Sequence, residues 1–170
     1  LLRNIDSEIN RNLAEMHLQM AWQAIAPAHY GQLQSFLETP NSPDDSIAHY
    51  LPQVISVSSY AINDGYLNRY VERNFRYDPT LDSLLLELRY LFRDIATAKG
   101  LLTSYREGET IPYVHRHFDF SDPASVTPFR SVAFINQVRW LKTLETEHLR
   151  TLTQSMKLME DVSSRIGLLL

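Results

Sequence analysis

TPFRSVAFINQVRWLKTLETEHLRTLTQSMKLMEDVSSRIGLLL, residues 127–170, decides the fold. Beyond Pro128 it contains no proline, and its single glycine is Gly167. Thr127 suits an N-cap, and Pro128 sits at the first helical position, where its missing N–H costs nothing. One helix of this length would reach about 60 Å at 1.5 Å per residue, twice the diameter of a small domain. Val138, Leu141, Leu144, Leu149, Leu152, Met156, Met159, Val162 and Ile166 line one face. From Leu149 onward the spacing fits a heptad, with Ser163 as the polar lapse. A rod of this kind spans distance, pairs with partner helices, or continues into a membrane segment.

Upstream, the same periodicity recurs. Ile5, Ile9, Leu13, Met16 and Met20 recur at helical spacing and predict a first helix over 2–25, ended by Pro27. A short helix over 29–37 leads into the loop Thr39-Pro40-Asn41-Ser42-Pro43-Asp44-Asp45. Ile47, Leu51, Val54, Ile55 and Val57 predict another, with Pro52 tolerated only in its first turn or two. Asn63-Asp64-Gly65 is a turn signal, and a short helix is expected beyond it over 67–75. Asp78-Pro79 opens a long helix to about Tyr105. Its buried stripe is Leu81, Leu84, Leu85, Leu88, Leu91, Phe92, Ile95 and Ala98, and Gly108 is its expected C-cap. From Glu109 to Val126 an aromatic connection is expected to loop back over the bundle, pinned by Tyr113, Phe118 and Phe120. These elements predict an all-α fold, an antiparallel helical bundle of four to six helices with one very long C-terminal helix. The first and last long helices should place both chain ends at one end of the bundle.

Composition narrows the function. The 170 residues suit one domain, residues 1–170, with 44% hydrophobic and 21% charged residues as in ordinary globular chains. The net charge is −4, and acids and bases are interspersed, so no basic stripe exists to neutralise nucleic-acid phosphates. Cysteine is absent, which removes disulfides, thiolate nucleophiles and Cys-based metal sites. No internal apolar run approaches the roughly 20 residues of a membrane span. Leu1-Leu2 and Gly167-Leu168-Leu169-Leu170 read as the ends of a piece cut from a longer, membrane-anchored protein.

Chemistry-bearing motifs are few. His115-x-His117-x-Asp119 on an extended segment would turn two imidazoles and a carboxylate to one side, as a divalent metal requires. Phe120 stands where metallohydrolases place a further His, and the reading that competes is a polar-aromatic loop bonded to helix ends. Glu145-x-x-His148 is half of a di-iron signature without its second copy, so it reads as a solvated face. There is no nucleophile elbow and no glycine-rich phosphate loop. Tyr50, Tyr60, Tyr66, Tyr70, Tyr77, Tyr90 and Tyr105 gather in the middle helices beside Arg69, Arg73, Arg76, Arg89, Arg93 and Arg106. Tyr66, Tyr70, Arg73 and Tyr90 are the candidate pocket for a small molecule, against the simpler reading of core and rim tyrosines with surface ion pairs.

Glu8-Ile9-Asn10-Arg11-Asn12-Leu13, and Asp119-Phe120 with Phe129-Arg130-Ser131 beyond it, carry a resemblance. The chain resembles a family of uncharacterised bacterial membrane-anchored helical proteins, a domain of unknown function. In that family a transmembrane helix leads into the amphipathic first helix, and a long helix closes the chain. More loosely it is similar to the all-α periplasmic sensor domains of chemoreceptors and histidine kinases. The resemblance implies membrane attachment and lends no catalytic residue. The expectation is therefore a non-enzymatic, membrane-anchored extracytoplasmic domain for interaction or signal relay. It needs no cofactor, and its C-terminal helix is a candidate homodimer surface. Ligand sensing and metal binding are the alternatives.

Overall fold

The computed structural model describes residues 1–56, 60–73, 78–119, 121–122 and 126–170. Val57, Arg76, Tyr77 and Phe120, which the sequence reading singles out, lie outside them, as does the end of the helix expected over 67–75. Among the described residues every regular element is helical, and the chain is an all-α bundle. Contacts gather it into two compact units: Leu1–Ala21, Ser59–Thr97 and His148–Leu170 in the first, Trp22–Ser58 and Ala98–Glu147 in the second.

The first unit holds most of α1 (Leu2–Gln23), all of α4 (Gly65–Glu72), and parts of α5 (Pro79–Tyr105) and α7 (Val132–Gly167). Leu2, Ile5, Ile9 and Met16 of α1 meet Leu81, Leu85, Leu88, Phe92 and Ile95 of α5 and Leu152, Met159, Val162 and Ile166 of α7 in one apolar cluster. These are the helical stripes the spacing predicts, and their burial drives the assembly. Asp78 caps α5, its Oδ1 accepting the Leu81 N–H at 2.9 Å, with Pro79 as the first helical residue. The same carboxylate receives Arg165 of α7 through Nε at 3.0 Å and Nη2 at 2.6 Å. Ser163 Oγ donates to Asp6 at 2.7 Å. So α1 and α5 both start where α7 ends, and α7 runs antiparallel to both.

The second unit holds α2 (Ala26–Glu38), α3 (Asp44–Val54), the end of α5, a π-helical turn (Arg106–Thr110), α6 (Ile111–His117), a 3-10 turn (Thr127–Arg130) and the first part of α7. α1 stops at Gln23, earlier than expected, because Pro27 has no N–H for the Gln23 carbonyl and instead enters the first turn of α2. α2 and α3 are joined by a loop in which Asn41 takes φ 63°, a left-handed conformation that Asn tolerates. Pro52 falls in the last turn of α3 rather than its first; the helix ends two residues later, at Val54.

Two further boundaries differ from the expectation. The last helix begins at Val132, not Thr127: Thr127–Arg130 form a 3-10 turn, Ser131 is extended, and α7 starts directly beyond it. Ser131 is the true cap, its carbonyl accepting the Ile135 N–H at 3.0 Å and its Oγ the Phe134 N–H at 3.3 Å. At 36 residues, α7 is about 54 Å long. Gly108 does not end a helix either. It lies inside the π turn, and α5, the π turn and α6 are continuous through His117. The cause is Pro112. Its ring would clash with the carbonyl four residues back, that of Gly108, and a widened turn relieves this without stopping the helix. The expected 18-residue loop is thus helical over its first half. Tyr113 and Phe118 do pin the connection, to α7 and to the 3-10 turn before it. Tyr113 stacks on Phe134 with centroids 5.2 Å apart and donates to the Pro128 carbonyl at 2.9 Å, while Phe118 meets Phe129 edge-on.

Candidate functional site

Along α7, the buried positions Phe134, Val138, Leu141, Glu145, His148, Leu152, Ser155, Met159, Val162 and Ile166 succeed one another at spacings of four and three. This is a heptad seam, and its centre is polar. Leu144, Leu149 and Met156, expected on that face, lie on its half-buried flank. A helix carries a charged residue at a seam position only where a partner meets it.

In the second unit that partner is Arg106. The π turn spaces the buried residues evenly by four, Leu102, Arg106, Thr110, Val114 and Phe118, and so brings Arg106 onto the inward stripe. Its Nη2 donates to Glu145 Oε1 and, at 2.8 Å, to the hydroxyl of Tyr30 on α2. Arg106 is 6% exposed and Glu145 3%. The guanidinium also sits 5.9 Å from the centre of the Tyr30 ring. Burial pushes the Tyr30 hydroxyl above its ordinary pKa, with Arg106 pulling against it and Glu145 adding to it. Burial pulls Arg106 down, but Tyr30 and Glu145 outweigh it and raise its pKa. Arg106 therefore keeps its charge. Arg106 Nε and Thr110 Oγ1 are buried without a hydrogen-bond partner among the described residues. One guanidinium thus ties three helical elements, α2, the π turn and α7, in a place solvent scarcely reaches.

The first unit has polar ties of its own. Glu8 on α1 accepts the Tyr66 N–H at 2.9 Å and the Leu67 N–H at 3.0 Å, capping α4 with a carboxylate from another helix. One turn along, Asn12 grips Asn63 at both ends of its side-chain amide, Nδ2 to the carbonyl at 2.6 Å and the N–H to Oδ1 at 3.0 Å. His148 Nε2 shares a hydrogen bond of 2.5 Å with the Tyr60 hydroxyl, the two rings stacked.

The residues singled out by sequence are placed differently. Tyr70 is buried and donates to Asp82. Tyr66 is 39% exposed with Arg69 over its ring, and Tyr90 is 52% exposed with Arg93 over its own. Arg73 is an exposed residue just past α4. One of the four is buried and three are exposed. His115 and His117 lie on α6, not on an extended segment, and so project about 200° apart around its axis. Asp119 accepts the Ser121 hydroxyl at 2.5 Å and N–H at 2.8 Å, and these bonds hold its carboxyl below the usual range, the hydroxyl most. Among the described residues no group of three metal-ligating side chains is close enough to hold an ion. Glu145 and His148, a solvated face on the sequence reading, are both core residues.

The second unit also carries an open cleft of about 720 Å³ lined by residues 37–42, Asp44 and Arg130. Its charges are already paired: Arg130 donates to the Ser42 carbonyl at 2.5 Å and to Asp44 at 3.1 Å, and Glu38 receives Arg139. Comparison with protein-family models, curated proteins and solved structures finds no match. Among the described residues no helix is long and apolar enough to cross a membrane.

Proposed function

We propose that this chain is a non-enzymatic helical module acting by protein interaction or by relaying displacement along its helices. The observation that carries the reading is α7. It is 36 residues without a break, its seam buried from Phe134 to Ile166, and it contributes to both units. A continuous helix transmits a shift at one end to the other, since packed helices move as rigid elements. The charged groups nearest to a constellation, Arg106 and Glu145, are locked together away from solvent, where they hold helices rather than meet a substrate. The shared end of α1, α5 and α7 in the first unit suits a module tethered from one side, and membrane attachment belongs to this proposal.

The chain has no cysteine, so Trp140→Cys and Ser164→Cys, both on α7 away from the buried seam, accept spin labels cleanly. A rod places them about 36 Å apart in one narrow distribution, and Glu145→Ala should alter the mobility of a label at position 164. A broad or two-peaked distribution, or an unchanged label at 164, would overturn the relay.

A further inference from the structure

We draw no further inference here: the strongest candidate, the outward face of α5 on which Leu86 and Tyr90 stand exposed with Arg93 over the Tyr90 ring, is an unpartnered apolar face and nothing in the structure shows what covers it.

Discussion

Glu145 is the residue with the most at stake. Glu145→Ala leaves the Arg106 guanidinium buried without its counter-charge, which should cost about 3–5 kcal/mol in urea unfolding. The double variant Arg106→Met/Glu145→Leu removes both charges and should recover most of that loss. If the double variant is as unstable as the sum of the singles, the pair is not the unit described. Glu8 is the corresponding residue of the first unit. Glu8→Ala strips two amides at the start of α4 of their acceptor, at about 1–2 kcal/mol, and hydrogen exchange at Tyr66 and Leu67 should speed up before the rest of the unit does. Asp78 contributes to the pH dependence. The Arg165 hydrogen bond, and after it the Leu81 N–H, holds its carboxyl below the ordinary range in the folded chain. A depressed folded pKa adds stability above the unfolded value of about 3.9, and that stability is lost as pH falls through the folded one. Acid unfolding of Asp78→Asn should accordingly show a shallower loss below pH 4 than the parent. An identical profile would remove Asp78 from the account. Glu145 was not legible as a core residue, because it read as part of a solvated helix face, and nothing in the sequence marked Glu8 as buried. The signal for Glu145 was its position, four beyond Leu141 and seven before Leu152, on a seam that is apolar on either side of its polar centre.

At the level of elements, what could be read came from local chemistry, and what could not depended on distant contacts. The start of α5 was open to reading because Asp78-Pro79 is a cap and a first-turn proline in one phrase. The run from Gly108 through Pro112 reads as a stop by the same local rules. The helix continues because Thr110, Val114 and Phe118 are buried beyond it, a gain that local propensity does not contain. Inserting one alanine after Gly108 would turn Val114 and Phe118 about 100° off their stripe. Thermal unfolding should then move down by several degrees, and circular dichroism should retain its helical shape. Gly100 makes the opposite case. It lies mid-helix on α5, exposed, with nothing within 4 Å of where a Cβ would stand. Gly100→Ala should stabilise the chain by about 0.4–1 kcal/mol, measured as a higher urea midpoint at unchanged slope.

At the scale of the whole molecule, neither unit is a continuous piece of chain. Each is assembled from separated segments, and α5 and α7 give residues to both. The helical class, the long last element and the antiparallel return of α7 onto α1 were all legible, since amphipathic periodicity reports burial wherever it occurs. The partition was not, because a stripe records that a face is covered and not which core covers it. Because α5 and α7 run on from one unit into the other, loss of one core should fray elements of the other. Calorimetry should record one cooperative transition, in the parent and in Val138→Ala alike. Two resolved peaks would mean that the units melt independently.

A seam of hydrocarbon alone repeats every seven residues, so two helices can meet a whole heptad out of step and still look satisfied. The carboxylate at position 145 forbids that error in the second unit. Slid by seven, the long helix would set Val138 or Leu152 against the Arg106 guanidinium, and the misaligned chain would have strong reason to come apart and try again. The ion pair therefore acts less as glue than as a key, rejecting the wrong alignments and leaving a single one in which the long helix can come to rest.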